Sequence, residues 1–364
     1  MARQLYVFGS NGQGQLGIPA ADMVHTPTIL SHPPPLAGLR IICGGDNHTL
    51  VLTAQGQVFG VGDNRKAQLI PGPGLVSRLE TFTPMGAGFR FAAATCESSA
   101  LILAHDTLEQ SMVHTRGAGP WGELGYESRS RSRSRSTDDQ AASDETEQQP
   151  PILIALPGKV VDFSAGAWHY VAILDDGSVY GWGKARLGQL GDDLSAKVQT
   201  PSKIAGIPFK PAKATCGKDF TYLVGEPGTG EHIVLGRDKF NLVSHMPNDV
   251  KGWKDIGATW HAIFVLFQDG TLIAWGRNAI WDLLPPNLPP IDKIAVGSEH
   301  VLALTLQGEL LSWGWSKHGN CGDLADVQEK VNNDMVSGFW NVINLPAKVE
   351  AIGAGFCTSF VVTQ

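Results

Sequence analysis

An apolar run, a Gly-x-x-His step or near variant, a second apolar run, a turn glycine, then Trp-Gly-x-Asn and Gln-Leu-Gly: this succession recurs seven times along the chain. Its clearest copy reads Gly166-Ala-Trp-His169, Val171-Ala-Ile-Leu174, Asp176-Gly177, Val179-Tyr-Gly-Trp-Gly183 and Gly188-Gln-Leu-Gly191. A fixed internal period outranks other sequence signals, because each unit leans on its neighbours and none builds a core alone. The 364 residues would otherwise suggest two or three domains; the repeat makes them one body.

Two series of positions interleave without a gap. The glycine of the Trp-Gly-like step gives Gly9, Gly62, Gly117, Gly183, Gly236, Gly276 and Gly314. The position three before the His-like residue gives Gly45, Thr95, Gly166, Gly217, Ala258, Gly297 and Gly355. Between them run short apolar stretches such as Leu50-Val-Leu52 and Ile263-Phe-Val-Leu266, the pattern of strands buried on both faces. Turn signals follow, among them Gln55-Gly56, Asp176-Gly177, Asp269-Gly270 and Gln307-Gly308. The first segment, Leu5 to Gly9, is the second half of a unit, and the last, Ile352 to Val362, is a first half. Joined, they complete one unit and leave no open strand edge. The expected fold is all-β, a seven-bladed β-propeller closed by pairing of the two terminal segments in one blade. The 43 glycines and 22 prolines suit many short strands joined by turns.

The repeat steps resemble the regulator-of-chromosome-condensation repeat family over essentially the whole chain. The resemblance is carried by Val7-Phe-Gly-Ser-Asn-Gly-Gln13, Gly60-Val-Gly-Asp-Asn-Arg65, Gly217-Lys-Asp-Phe220, Gly297-Ser-Glu-His300 and Trp313-Gly-Trp-Ser-Lys-His-Gly-Asn-Cys-Gly322. The third unit departs with Arg116-Gly-Ala-Gly-Pro-Trp121, and the fifth has Gly236-Arg-Asp-Lys-Phe-Asn-Leu242 in place of the Gln-Leu-Gly ending. Within the family the likeness runs to the α-tubulin suppressor, or killer-toxin-insensitivity, branch. That likeness implies a non-enzymatic scaffold forming a heterodimer with a small zinc-binding, electron-carrying protein of diphthamide synthesis. Through that partner it implies support of the Elongator complex and wobble-uridine modification of transfer RNA. The alternative the family name implies is a guanine-nucleotide exchange factor for a Ran-type GTPase.

No constellation for catalysis, metal or cofactor stands out. Gly12-Gln-Gly-Gln-Leu-Gly17 matches a dinucleotide fingerprint, but Ile18-Pro19 follows where a helix should open, and the same Gly-Gln-Leu-Gly returns at Gly188. It reads as a turn. His48, His169, His261 and His300 take one equivalent position in four units, with Ser98, Phe220 and Thr358 in others. Spread around a ring they cannot converge on one zinc ion, so each is expected to bond within its own blade. Asp175-Asp176 and Asp192-Asp193 read as turn chemistry. Five cysteines without a C-x-x-C pair read as reduced thiols of an intracellular protein. A net charge of −7 disfavours direct DNA binding, and no stretch is apolar enough for a membrane span. Ser128 to Pro150, serine/arginine-rich and then acidic, reads as a disordered insertion within the third blade.

The pair of residues inside each Gly-x-x-His step differs from unit to unit: Asp46-Asn47, Cys96-Glu97, Ala167-Trp168, Lys218-Asp219, Thr259-Trp260, Ser298-Glu299 and Phe356-Cys357. Framework positions repeat because the fold needs them, whereas positions free to vary can carry recognition. The expected partner-binding residues are therefore Trp168, Lys218, Asp219, Trp260 and Glu299, an aromatic-plus-charge set. Trp315 and His318 join them, because small residues usually stand at those places.

Overall fold

The computed structural model describes residues 3–19, 21–70, 76–104, 110–126 and 152–364, and in it the seven repeats are seven antiparallel blades around a central channel. The insertion expected at 128–150 lies outside the described residues. Blade 1 joins Val349–Ala354 and Thr358–Thr363 to Gln4–Ser10 and Met23–Ile29. Blades 2 to 7 follow as residues 39–86, 89–156, 160–203, 213–235, 253–276 and 291–342. The terminal closure is formed as expected, with Gln4 opposite Thr363 and Gly9 opposite Thr358.

The second strand of each blade is the apolar run of the repeat, and it is buried nearly throughout, as in His169–Leu174 and His300–Thr305. Each sits between neighbouring blades, so both of its faces meet side chains. The first strands line the channel, a cavity of about 410 Å³. Small residues such as Ala93, Ala165, Gly257, Ala295 and Gly353 dominate there, because seven strands converge on the axis.

Sequence steps that repeat are joints between blades. The indoles of Trp182, Trp275 and Trp313 each donate to a carbonyl in the preceding blade, on Glu123, Leu242 and Leu283, at 2.9 Å. Arg116, the departure in the third unit, performs the same task, donating to the Leu69 carbonyl at 2.7 Å. The amide oxygens of Gln15, Gln68 and Gln189 each accept from a backbone N–H two residues earlier at 2.9 Å, which fixes the Gly-Gln-Leu-Gly turn. That turn opens no helix, as the dinucleotide argument required. Leu242, only 2% exposed, fills the place of the missing Gln-Leu-Gly leucine in the fifth unit. Trp182 is fully buried and stacks with Phe163 and Tyr170 at 5.9 and 5.4 Å between ring centres. Trp182→Ala should therefore lose about 3–5 kcal/mol of stability. Chemical denaturation would check this, and a loss under about 1 kcal/mol would contradict the joint.

The histidines bond across blades, correcting the expectation that each stays within its own. His48 Nε2 reaches Ser99 Oγ at 3.1 Å, His169 reaches Thr221 Oγ1 at 3.0 Å and His300 reaches Ser359 Oγ at 3.0 Å. The Thr221 and Ser359 hydroxyls donate onward to the Gln189 and Asn320 carbonyls at 2.8 and 2.7 Å. With their protons committed there, these hydroxyls accept from Nε2–H, and the imidazoles are neutral. Burial pushes His48 and His169 down to about 4 and His300 down to about 3.

A second correction concerns the sixth blade. Gly276 pairs with Ala262, whereas Gly62, Gly183 and Gly314 pair with His48, His169 and His300. The Thr259 amide donates to Ala262 as Gly166 does to His169. The sixth unit therefore reads Thr259, Trp260-His261, Ala262, one residue later than its sequence alignment. His261 is not a framework histidine; it belongs to the variable pair.

Blades 5 and 6 have three strands where the other five have four. Pro285, Pro286, Pro289 and Pro290 occupy the stretch after the third strand of blade 6, and proline cannot donate to a sheet ladder.

Candidate functional site

With the register corrected, the variable pairs become Asp46-Asn47, Cys96-Glu97, Ala167-Trp168, Lys218-Asp219, Trp260-His261, Ser298-Glu299 and Phe356-Cys357. All sit in the turns between first and second strands, on one face of the disc. The first member of each pair forms the rim of the channel, tied to the next blade by backbone bonds. Asp46 N–H donates to Cys96, Cys96 to Ala167, Lys218 to Trp260, Trp260 to Ser298 and Ser298 to Phe356, at 2.8–3.2 Å. The second member faces outward against the residue after the glycine of the Trp-Gly-like step. The amides of Asp63, Lys184, Arg277 and Trp315 donate to Asn47, Trp168, His261 and Glu299 at 2.8–2.9 Å. That glycine itself is fixed by this contact. A Cβ at Gly183, held at φ +106°, would lie 2.4 Å from the Trp168 carbonyl oxygen.

Trp260, half-buried, stands at the channel mouth with its ring edge-on to Phe356 at 5.5 Å between centres. The Lys218 ammonium lies 5.0 Å from the Trp260 ring centre. Trp260 and Phe356 belong to the channel lining, with Lys218 beside them. Trp168 is likewise half-buried on the same face.

Two carboxylates organise the outer ring. Asp219 holds Lys184 at 3.0 Å and Lys239 at 3.6 Å. Burial alone would raise its carboxyl, but the Lys184 hydrogen bond and the charges of Lys184 and Lys239 hold it below the usual range. Glu299 accepts from Arg277 at 2.6 Å, His261 Nδ1 at 2.9 Å and Trp281 Nε1 at 3.3 Å. Burial again opposes ionisation, and the His261 bond and Arg277 charge overcome it. At 7% exposure Glu299 is the centre of an internal network, not the exposed charge the sequence suggested. Trp315 and His318 pack edge to face at 5.1 Å, and the Trp315 amide bonds to Glu299 places that pair at the margin of the same face.

Sequence reasoning missed Trp121, Lys184, Arg186, Arg237, Lys239, Phe240, His261 and Arg277. Lys184, Arg237 and Arg277 each follow the glycine of the Trp-Gly-like step, so the repeat itself carried the signal. On the same face, between blades 2 and 3, Asp46, Asp63, Arg65, Lys66 and Glu97 surround a pocket of about 350 Å³. Among the described residues no group of three His, Cys, Asp or Glu is placed to hold a metal ion.

Models of the regulator of chromosome condensation (RCC1) repeat match residues 4–52 and 176–224, and a second model of the repeat matches 40–68, 160–189 and 291–320. An RCC1 repeat-containing protein of Schizosaccharomyces pombe is 30% identical over 99% of both chains. The chain belongs to the RCC1 repeat family. The secretion-regulating guanine nucleotide exchange factor of Bos taurus is 28% identical over 88% of this chain and 64% of its own length. Among solved structures, human WBSCR16 superposes with a TM-score of 0.76 at 16% identity, covering 100% of this chain and 99% of the other. Prp20p of Saccharomyces cerevisiae gives 0.76 at 17% identity, covering 99% and 91%. These two share the fold of this RCC1-repeat propeller. In all of it the joints between blades use the family's repeated residues, and the face described above uses the residues between them.

Proposed function

We propose that this RCC1-repeat protein is a non-enzymatic scaffold that docks a small zinc-binding, electron-carrying protein on the variable face. On this reading the heterodimer supports diphthamide synthesis on elongation factor 2 and, with the Elongator complex, wobble-uridine modification. The metal belongs to the partner. The supporting observation is the half-buried Trp260 at the channel mouth, flanked by Lys218 and Phe356. A partly exposed aromatic ring backed by neighbours that fix its orientation is the kind of anchor on which interface energy concentrates.

Titrating the purified small zinc protein into wild-type chain and into Trp260→Ala tests this. The variant should bind about 2 kcal/mol more weakly while its thermal melt stays close to the parent's. Equal binding by both proteins would refute the face as the docking site. A second reading, nucleotide exchange, draws on the name of the Bos taurus relative. Accelerated nucleotide release from a Ran-type GTPase in the same preparation would favour it over the scaffold.

A further inference from the structure

The docking face carries a run of cations over part of its circumference. Across blades 3 to 6 runs a continuous arc of cations and rings. Lys184 and Arg186 each lie 5.7 Å from the Trp121 ring centre. The Arg237 amide bonds the Leu187 carbonyl at 2.8 Å, which sets Arg237 beside the loop that carries Arg186. Lys239 and Arg277 lie 5.2 and 5.4 Å from the Phe240 ring centre.

Two acids of this arc are recessed beneath the cations. Asp219 and Glu299 side chains are 12% and 9% exposed, and both are already engaged by the lysines and arginine above them. Lys239 is 49% exposed, and Arg186 and Arg237 are exposed with no ion pair among the described residues. The remaining acids nearby are Glu97, half-buried, and the exposed turn residues Asp192, Asp193 and Asp238. Asp238 accepts from the Val243 and Ser244 amides, while Asp192 packs against Gly188 and Asp193 follows it outward. The five cations Lys184, Arg186, Arg237, Lys239 and Arg277 thus outnumber the three exposed carboxylates of the arc, on a chain whose net charge is −7. Arginines held on aromatic rings keep their forks aimed and lose little freedom on binding, which suits carboxylates.

We infer that the partner meets this arc through an extended, carboxylate-rich peptide segment. The inference rests on the docking-face reading and names the chemistry of the part that lies over blades 3 to 6. Single-stranded nucleic acid fits less well. It needs ring faces free for stacking, and Trp121 and Phe240 each already carry two cations within 6 Å of centre.

A short fluorescent peptide of alternating glutamate and glycine is the probe, followed by anisotropy against the full chain. Wild type should bind it at low salt and release it as sodium chloride rises several-fold. The double variant Arg186→Glu, Arg237→Glu should bind about tenfold more weakly or worse, with an unchanged melt. Arg65→Glu, in blade 2 outside the arc, should match wild type. No binding by wild type at low salt, equal binding by the double variant, or tighter binding of an oligouridine RNA would each overturn the inference. If the peptide fails while Trp260→Ala still weakens the zinc-protein titration, the acidic segment falls and the docking face stands.

Discussion

Removing residues 353–364 should leave a chain that aggregates and shows no cooperative melt. Thr358–Thr363 is the strand that joins the two termini, pairing with Gln4–Ser10 on one side and Val349–Ala354 on the other. Its loss bares both neighbours along their length, and unpaired edges recruit other chains. The packing loss is as severe. Phe360 is fully buried with Leu5, Val7, Val51 and Val61, and Val361 is fully buried with Tyr6, Phe8 and Leu302. Emptying a phenylalanine site alone costs about 3–5 kcal/mol, and whole domains have only about 5–15 kcal/mol to lose. Ser359 also leaves, so His300 and the Asn320 carbonyl lose their bridge. Circular dichroism melts and size-exclusion chromatography would check this. A soluble truncated chain melting cooperatively within about 5 °C of the parent would refute terminal closure as the latch.

The ring was legible because its joints are sequence-local and repeated. A Trp or Arg before the glycine of the Trp-Gly-like step, a Gln in the following turn and an apolar second strand each recur at fixed offsets. What misled the alignment was residue type without neighbours. His261 looks like a framework histidine, yet the framework pairs size with size. Gly45, Gly166 and Gly297 stand three before a histidine because a Cβ there would meet the imidazole within 2.4 Å. Thr95 and Thr259 stand before Ser98 and Ala262, whose small side chains leave room. Chemistry pairs across blades as well. His48, His169 and His300 meet Ser99, Thr221 and Ser359, while Phe220 shares one apolar core cluster with Ile263 and Ala262 another with Val301. Read that way, Thr259 and Ala262 mark the register and His261 falls to the face.

The face was legible in part. Variation between repeats correctly picked out turns on one side of the disc, including Trp168, Lys218, Asp219 and Trp260. It did not separate rim from outer ring, nor exposed from recessed, because period says nothing about radius. Glu299 shows why: its sequence position matches Asp219, but three donors from Arg277, His261 and Trp281 draw it inward. Lys239 and Phe240 come from the irregular fifth-unit ending, where the repeat has lapsed and no template points to them.

Stability should depend on pH through two sets of buried groups that pull in opposite directions. His48 and His169, folded near 4 against an ordinary 6.5, stay neutral where the unfolded chain takes up protons. Their contribution is complete above about pH 6.5 and falls away toward pH 4, by about 3 kcal/mol each. Glu123 works the other way. It stands where other units have glutamine, is 1% exposed, and its Oε1 has no hydrogen-bond partner among the described residues. Burial raises its carboxyl to about 7, so it costs stability as pH climbs from about 4.5 to 7. Two variants separate the sets. Glu123→Gln restores the amide that the turn uses elsewhere; it should equal wild type at pH 4 and exceed it by about 3 kcal/mol at pH 8. His169→Phe copies Phe220, which fills the same position against Gly217. Relative to wild type it should gain about 3 kcal/mol between pH 7 and pH 4, since one proton fewer is taken up on unfolding. Urea denaturation across that range measures both differences. If the Glu123→Gln difference stays flat with pH, its carboxyl is ionised in the folded protein and the opposed-group account fails.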